Sequence, residues 1–470
     1  MKSLNVLMIS SNPLVTGGGV PIYTDNICSE LIKKGHRVTL FTLGLYDLLF
    51  LPHLSGRKYH GYQIVELQNS PEMCYSPFKD FSSCTNKRIE EIFRKYLDKL
   101  KPDILHIQNI MGLPVSLIGV AKQLKIPVIF SLHNYWLMCP EIELFNHNNQ
   151  TLCDGPQPEQ VCFKCIRHED KWLAILRKAT LAHKNSFKKR LLSKFIKTKT
   201  KLENQSEEKT KKIYQNNIDR EGLIEQLKKR NHYIRYLLQN KVDLFIAVSN
   251  KVKELFVAFG VSPEKIIVNH IGTKATEIIR PVDKATGKKI TFMFLGKLGR
   301  VKGFPILLGA FTRLDQNKCR LLVYGPLNDD YLRQKDQIEK QYSVQFKGEY
   351  KYHHLSEILG QADIGIVPPL WHDNAPQVVF EFFCAKVPVI GSNLGGIPDF
   401  VKNDINGLLF NPYQKGDLLL KMKKLIENPE LIISYQKNIP NINSMEQHVV
   451  KLEQIYENLL NKNKIGGQYS

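Results

Sequence analysis

The order strand, turn, helix occurs twice in the 470-residue chain, once near its start and once after residue 285. Residues 4–10 form an apolar, β-branched run that is followed by three glycines and a helical pattern. Residues 290–295 form a second such run, followed by a glycine, a loop with two lysines and another helical pattern. Strands that alternate with helices through short loops are typical of parallel sheets with helices on both faces. The sequence therefore predicts two α/β domains with a cleft between them, and ligands bind at the carboxyl ends of parallel strands.

Chain length and loop composition indicate the domain boundaries. A chain of 470 residues exceeds what one hydrophobic core usually organises. Gly, Thr, Pro and Lys cluster near residues 268–285, so we expect an N-terminal domain at 1–270 and a C-terminal domain at 271–444. Residues 445–462 have an amphipathic pattern and are expected to form a helix that packs back on the N-terminal domain.

Charge and hydropathy indicate where the protein resides and what kind of partner it binds. No run approaches the roughly 18–20 apolar residues of a membrane-spanning helix, and the apolar stretch at the start is shorter than a signal peptide needs. We therefore expect a cytoplasmic protein whose nine cysteines are thiols or metal ligands rather than disulfides. The formal charge is +21, and residues 171–240 hold 19 Lys or Arg against 6 Asp or Glu. Such a basic segment predicts an anionic partner.

Two interpretations of this basic helical insert, residues 171–240, are open. Its first part has an apolar stripe at helical spacing among many lysines, which is the pattern of a helix lying on an anionic membrane surface. Its second part has Leu223, Leu227, Ile234 and Leu238 at helical spacing, which predicts a helical hairpin whose stripe packs on a partner helix. In the first case the insert would bring the protein to the inner face of the cell membrane.

A lysine-containing loop follows the run of residues 290–295. Gly296 and Gly303 frame Lys297 and Lys302 directly before the next helix. Two cations near a helix start can hold a diphosphate without a metal ion, whereas the alternative is a pair of solvated lysines. Because the glycines frame them, we interpret the two lysines as a diphosphate site.

A second polar loop follows a later strand of the same domain. Asp373 lies in this loop, and Glu381 lies about one turn into the next helix, with seven residues between the two acids. Amides at the start of a helix suit phosphate oxygens, and carboxylates suit sugar hydroxyls. Asn374, Val378 and Val379, which lie between the two acids, complete the expected binding residues for a sugar diphosphate.

The N-terminal domain offers further candidates. Gly18 and Gly19, with Tyr23 behind them, follow the first strand, where they allow a ligand to approach the backbone or form a plain turn. The spacing lacks G-x-G-x-x-G and no acidic residue ends the second strand, so a nicotinamide site is not expected. His133 follows the run of residues 128–132, either as a site residue or as a structural histidine at a strand end.

Taken in order, these motifs resemble one family. The set comprises the glycines with Tyr23, His133, the lysine loop, the Asp373–Glu381 pair and a Gly-Gly-Ile-Pro turn at residues 395–398. It is similar to the retaining glycosyltransferases of the GT-B fold, which include sucrose-phosphate synthases and many bacterial polysaccharide and lipopolysaccharide enzymes. The resemblance covers most of residues 1–460 except the basic insert, and it implies two facing Rossmann-like domains.

The resemblance also implies a role for each matching residue. Lys297 and Lys302 would bind the diphosphate of a nucleoside diphosphate sugar, and Glu381 would bind its ribose hydroxyls. Asp373 would face the transferred sugar, and His133 would contact the sugar near the reacting carbon. The glycine pair after the first strand would approach the phosphate. Two positions depart from the family, because lysine at 297 replaces the usual arginine and aspartate at 373 replaces the usual glutamate.

Four cysteines lie close together after His133, at positions Cys139, Cys153, Cys162 and Cys165. Cys162-x2-Cys165 has the spacing of a metal knuckle, and the other two could complete four thiolates. The remaining gaps match no common zinc motif, and free buried thiols are the alternative. The hypothesis is a structural zinc site in the loop 139–165, with no cofactor required for catalysis.

The expected activity is transfer of a hexose-type sugar from a nucleoside diphosphate to a glycan or lipid-linked acceptor, in cell-surface polysaccharide biosynthesis. A sugar-nucleotide epimerase on the same fold is one alternative, since it would act on the donor without an acceptor. A nucleic-acid-binding protein is a second alternative, which rests on charge alone because no recognised nucleic-acid module occurs. Donor base, donor sugar, acceptor and oligomeric state are left open by the sequence.

Overall fold

A computed structural model of the protein describes residues 2–11, 18–45, 51–70, 81, 84–166, 220–281 and 289–466. Its first half contains ten strands, namely β1 Asn5–Ser10, β2 Arg37–Leu43, β3 His53–Tyr59, β4 Tyr62–Gln68, β5 Ile104–Asn109, β6 Val128–Leu132, β7 Phe145–Asn146, β8 Thr151–Leu152, β9 Leu244–Ala247 and β10 Ile266–Val268. The helices that accompany them are α1 Gly19–Lys33, α2 Lys87–Leu100, α3 Leu117–Gln123, α4 Glu159–Cys165, α5 Arg220–Lys241 and α6 Asn250–Ala258.

Eight of these strands form one sheet in the order β10-β9-β6-β5-β1-β2-β4-β3. The neighbours pair in parallel except for the edge strand β3, which is antiparallel to β4. β7 and β8 form a separate antiparallel pair. The central strands β1 and β5 are buried along their whole length, as expected for parallel strands covered by helices on both faces.

The second half contains six strands, namely β11 Ile290–Leu295, β12 Cys319–Tyr324, β13 Val344–Gly348, β14 Ile364–Val367, β15 Val389–Ser392 and β16 Gly407–Phe410. Its helices are α7 Ala275–Ile278, α8 Phe304–Phe311, α9 Asp329–Gln341, α10 Leu355–Leu359, α11 Gln377–Cys384, α12 Ile397–Phe400, α13 Asp417–Glu427 and α14 Glu430–Lys437. The strands form one parallel sheet in the order β13-β12-β11-β14-β15-β16. Two short 3-10 helices lie at Pro263–Lys265 and Tyr352–His354.

The last helix, α15 Met445–Gly466, follows the second domain in sequence but packs on the first. Its apolar side chains, Val449, Leu452 and Tyr456 among them, belong to the hydrophobic core of the first domain. Polar contacts add to this packing, since His36 Nε2 lies 2.9 Å from the Glu453 carboxylate. The end of the chain therefore connects the two domains.

The hairpin of β3 and β4 had no counterpart among the strands expected from the sequence. β3 carries serine, lysine and arginine instead of an apolar run, which suits an exposed edge strand. His60 and Gly61 join the two strands, and both have positive φ values, 45° and 87°. This is the backbone geometry of a tight hairpin turn.

The described part of the basic insert is α5, whereas residues 167–219, including the apolar stripe among lysines, lie outside the described residues. α5 buries Leu227, Ile234 and Leu238 and contacts α3 and α4. Arg230, one of the basic residues of this segment, is also buried and donates hydrogen bonds to the carbonyls of Trp136 and Leu137. Within the described residues, no helix is long and apolar enough to span a membrane.

Candidate active site

The two polar loops expected to bind a sugar diphosphate meet at the carboxyl ends of two central strands of the second sheet. β11 and β14 are parallel neighbours, so the loop after β11 and the loop after β14 leave the sheet side by side. Lys302 Nζ donates to Asp373 Oδ2 at 2.8 Å, and the ammonium group lies 5.3 Å from the centre of the Trp371 ring. Two motifs 71 residues apart in sequence thus form one charged group of side chains.

A close backbone contact fixes the position of Lys302. Gly303 has a φ of 75°, and a Cβ atom at this position would collide with the carbonyl oxygen of Pro368. Only glycine fits here, because both the left-handed backbone and the contact exclude a side chain. Gly303 therefore holds the lysine loop against the loop that contains Asp373.

The ion pair keeps Lys302 charged. Burial by itself lowers the pKa of Lys302, but the charge and the hydrogen bond of Asp373 outweigh burial, and the net pKa is raised. The side chain of Lys302 is 44% exposed, whereas that of Asp373 is 13% exposed. The cation can therefore contact both a solvent-facing anion and the carboxylate behind it.

Lys297 takes a different position. Its side chain is exposed, and it makes no ion pair with any residue that the structure describes. Gly296, which precedes it, has a φ of 139° and open space beside it. The structure thus brings Lys302 to Asp373 but leaves Lys297 free to reach a ligand.

Helix α11 begins directly behind Asp373. The first amides of a helix lack partners within the helix, but the amide of Val379 already donates to the carbonyl of Pro376 at 3.0 Å. The side chain of Val379 is fully buried, whereas that of Val378 is partly exposed. The predicted donor contact at Val379 therefore concerns its backbone, because the side chain fills the core of the domain.

Glu381 lies on the same helix and is 7% exposed. Its Oε2 atom is buried and has no hydrogen-bond partner among the described residues. Burial raises the pKa of Glu381 to about 7. A buried carboxylate of this kind is poised to accept hydrogen bonds from the hydroxyls of a ligand.

Other buried polar atoms on the loop before α11 also lack hydrogen-bond partners. They include Trp371 Nε1 and both amide atoms of Asn374, again within the part of the chain that the structure describes. Buried polar groups are almost always hydrogen-bonded in proteins, so each exception requires an explanation. Three such residues on one loop and the adjoining helix indicate a binding site for a polar ligand.

The first domain contributes His133, which lies directly after β6. Its Nε2 atom bonds Gln108 Oε1 at 2.7 Å, and its ring lies against the edge of Tyr23 at 5.0 Å between centroids. Burial, together with the neighbouring His448, lowers the pKa of His133 to about 3. The imidazole is therefore neutral near pH 7.

The glycine turn after β1 is described from Gly18 onward. Gly18 has a φ of 109° and precedes the first turn of α1, and a side chain at Gly19 would enter open space. A ligand could therefore approach the backbone at this point.

Tyr135 lies two residues after His133 and within electrostatic reach of Asp373 in the second domain. Its hydroxyl is buried and has no hydrogen-bond partner in the described ranges, and burial together with the charge of Asp373 raises its pKa. Tyr135 and Gln108 are not among the site residues expected from the sequence. Gln108 and Tyr135 each come just after a predicted strand, at 103–107 and 128–132. Their position at the carboxyl end of a parallel strand was the signal that could have identified them.

The Gly-Gly-Ile-Pro turn at residues 395–398 contributes to the contact between domains. Asp399, just after it, accepts hydrogen bonds from the backbone of Asn250 at 2.7 Å and from His270 Nε2 at 3.0 Å. Both partners belong to the first domain. The contact helps to fix the distance between the two sheets at the site.

The four cysteines that are predicted to bind zinc all lie in the described part of the chain. Within the described residues, which include all four candidate cysteines, no three His, Cys, Asp or Glu side chains are arranged to hold a metal ion. Cys162 and Cys165 lie in helix α4 instead of a knuckle turn, and the thiol of Cys153 donates to the carbonyl of Gly155. Burial raises the pKa of the Cys139 thiol to about 12.

Two parallel α/β domains, the second of which carries a lysine, two carboxylates and a helix start after its strands, are the arrangement of a GT-B glycosyltransferase. Two family models match the chain, Glycosyltransferase Family 4 over residues 17–157 and Glycosyl transferases group 1 over residues 275–441. The chain belongs to the glycosyltransferases that combine these two domains. The resemblance stated from the motifs is thereby confirmed.

Relatives of the chain include a bacterial biosynthesis glycosyltransferase and two proteins of a bacterial cps region. A 42.6 kDa protein of the cps region of Klebsiella pneumoniae is 20% identical over 93% of this chain and 95% of its own length. A 41.2 kDa protein of the same region is 26% identical over 38% of this chain and 51% of its own length. The amylovoran biosynthesis glycosyltransferase AmsK of Erwinia amylovora is 23% identical over 41% of this chain. With the last two relatives, the alignment spans only about half of the relative's length.

Solved structures confirm the fold. The sucrose-phosphate synthase of Thermosynechococcus elongatus superimposes with a TM-score of 0.63 at 16% identity, over 97% of this chain and 99% of the other. HepE of Anabaena, solved with UDP-glucose, superimposes with a TM-score of 0.59 at 13% identity, over 98% of this chain and 100% of the other. The prediction of two Rossmann-like domains in the GT-B arrangement is confirmed.

Proposed function

We propose that this glycosyltransferase is a retaining enzyme that moves a sugar from a nucleoside diphosphate to a glycan or lipid-linked acceptor. The observation that carries the proposal is the group of unpartnered buried polar atoms on Trp371, Asn374 and Glu381 beside the Lys302–Asp373 pair. A ligand that supplies hydroxyls and phosphates satisfies all of them. HepE, which shares the fold, was solved with UDP-glucose.

In this proposal each group has one task. The charge of the leaving diphosphate is stabilised by Lys302, by Lys297 from the solvent side and by the first amides of α11. The ribose hydroxyls donate to Glu381. The transferred sugar lies between Asp373 on one domain and His133 on the other, and closure of the domains excludes water from the reaction.

The proposed acceptor is inferred from the names of the relatives and from the positive charge of the basic insert. The names of AmsK and of the two cps-region proteins refer to loci or pathways of cell-surface polysaccharides, so we place this enzyme in that kind of synthesis. A reaction in the cytoplasm at the inner face of the membrane would meet a lipid-linked acceptor. The basic segment 171–240 would then contact the anionic lipid surface.

The test begins with a panel of nucleoside diphosphate sugars and measures thermal stabilisation of the protein. A donor present at 100 times its Kd should add about 2.7 kcal/mol to the free energy of unfolding. Transfer with that donor should give a product with the anomeric configuration of the donor, as read by NMR. Inversion would refute the retaining assignment, and failure of the whole panel to stabilise the protein would refute the donor site.

Incubation of the selected donor alone distinguishes the epimerase alternative. A transferase should leave the sugar configuration unchanged at every ring carbon, whereas an epimerase would produce an isomeric nucleotide sugar without an acceptor. Formation of that isomer would therefore contradict the proposed function.

A further inference from the structure

A continuous chain of buried polar side chains connects His133 to the C-terminal helix α15. His133 Nε2 lies 2.7 Å from Gln108 Oε1. Gln108 Nε2 lies 3.1 Å from His106 Nε2, and His106 Nδ1 lies 2.7 Å from the hydroxyl of Tyr456. Gln108, His106 and Tyr456 are all at most 1% exposed, so solvent does not compete for these bonds.

The chemistry of the amide determines where the proton of His133 lies. A carbonyl oxygen only accepts, so His133 must donate from Nε2 to Gln108 Oε1. The amide nitrogen of Gln108 only donates, and it contacts the His106 ring at 3.1 Å from Nε2 and 3.4 Å from Nδ1. The two ring nitrogens of His106 bond hydroxyls that can donate or accept, Nδ1 that of Tyr456 at 2.7 Å and Nε2 that of Ser131 at 2.8 Å. These two bonds fix the position of the His106 ring against which the Gln108 amide lies.

This arrangement leaves one atom of His133 available. With the proton on Nε2, the Nδ1 atom of the neutral ring carries a lone pair and accepts hydrogen bonds. Among the described residues, none forms a hydrogen bond with Nδ1, and the side chain of His133 is only half-buried. The ring therefore presents an acceptor on its accessible side.

Helix α15 also supports the other side of the His133 ring. The hydroxyl of Tyr23 lies 2.5 Å from His448 Nε2, and the ring of Tyr23 meets His133 edge-on. Burial lowers the pKa of His106 to about 3 and that of His448 to about 4. The whole group is therefore uncharged near pH 7, and the tautomers are set by hydrogen bonds alone.

We propose that Gln108, His106 and Tyr456 are positioning residues that hold His133 in its Nε2–H tautomer, so that Nδ1 accepts a hydrogen bond from a hydroxyl of the donor sugar. The C-terminal helix is then part of the active site, although none of its residues touches the substrate. The identity of the partner as a sugar hydroxyl rests on the proposed function, whereas the tautomer does not.

The tautomer is measured on the protein alone by NMR with ¹⁵N-labelled histidine, and His133→Asn identifies the signal of His133. The wild type should show His133 protonated on Nε2. Gln108→Met, which keeps the volume but removes the amide, should give a mixture of tautomers or the Nδ1–H form. His133 protonated on Nδ1 in the wild type, or an unchanged tautomer in folded Gln108→Met, would overturn the proposal.

Tyr456→Phe removes one hydroxyl far from the substrate. It tests the same proposal if Gln108→Met does not fold. The matched control is Tyr435→Phe, since Tyr435 is equally buried and its hydroxyl bonds Asp404 at 2.8 Å in the other domain. Tyr456→Phe should alter the His133 signal and lower kcat/KM by roughly tenfold, as loss of an outer supporting group does elsewhere. The control should change neither, and an equal loss in both variants would contradict a positioning role.

The substrate side is tested with deoxyfluoro analogues of the donor sugar selected by the panel. Fluorine accepts hydrogen bonds but cannot donate, so it cannot bond the Nδ1 lone pair. At one ring position, replacement of the hydroxyl by fluorine should lower kcat/KM about tenfold in the wild type and by less in Gln108→Met. Tolerance of fluorine at every position would refute the sugar contact while leaving the transferase assignment intact.

Discussion

Replacing Glu381 by glutamine separates the effect of this buried carboxylate on the stability of the fold from its effect on ligand binding. Burial raises the pKa of Glu381 from its ordinary value of 4.5 to about 7. In the folded protein the group therefore binds a proton over a pH range in which the unfolded chain has already lost it. Protonation stabilises the fold below pH 4.5, and this stability is lost as the pH rises towards 7.

The size of the effect follows from the two pKa values. Each pKa unit corresponds to ~1.4 kcal/mol, so ionisation of Glu381 costs the folded state ~3 kcal/mol. Glutamine has nearly the same shape but does not ionise. The free energy of unfolding of Glu381→Gln, minus that of the wild type, should therefore increase by ~3 kcal/mol between pH 4.5 and pH 7.5 and then stay constant.

Urea unfolding at several pH values measures this difference. The control is Glu427→Gln, because Glu427 is exposed at the end of α13, and its difference from the wild type should not depend on pH. A constant difference for Glu381→Gln over the same range would refute the reasoning.

Binding should change in the opposite direction. At pH 7.5 the variant should bind the nucleoside diphosphate selected by the panel at least tenfold more weakly, since it loses charged hydrogen bonds to the ribose. Calorimetric titration measures the Kd. A variant that is both more stable and an equally good binder would show that this carboxylate does not contact the ligand.

Three further outcomes are expected. Lys302→Ala should lower the rate of transfer by about a hundredfold, while the exposed Lys347→Ala should not, and wild-type turnover by the first variant with every accepted donor would exclude Lys302 from the diphosphate site. Protein purified without a metal-affinity column should carry less than one equivalent of zinc by elemental analysis, and a full equivalent that survives dialysis would restore the four-cysteine hypothesis for residues 139–165. The protein should sediment with vesicles only when they contain acidic lipid, and this binding should weaken with salt and when residues 188–190 become Glu. Recovery of all the protein in the supernatant would favour the hairpin interpretation of the insert.

The most apolar elements are the ones that the sequence predicts to the residue. The strands Val128–Leu132 and Ile290–Leu295 are apolar apart from one hydroxyl residue each, and the structure gives them the expected bounds. Such runs form buried strands of a parallel sheet wherever they lie in the chain. The edge strand β3 lacks this signal because one of its faces meets solvent.

The spacing of Cys162 and Cys165 is compatible with two local structures. Cys162 and Cys165 have the separation of a metal knuckle, but the same separation places two residues on adjacent positions of a helix. Helix α4 takes the second form. The choice between the two depends on α4 packing against α5, 55 or more residues later in the chain, and that contact has no signature in the local sequence.

The sequence by itself determined the two-domain class and the separate motifs, because strand and helix periodicity, glycine turns and charged loops are local patterns. Only the tertiary structure decided that Lys302 meets Asp373. The strand order places β14 directly beside β11, although β12 and β13 lie between these two strands in the sequence. The same holds for Gln108 and Tyr456, which reach the surroundings of His133 from β5 and from the last helix. Contacts between distant segments depend on strand order and on the return of α15 to the first domain, and both are set by the burial of apolar surface over the whole chain rather than by any one motif.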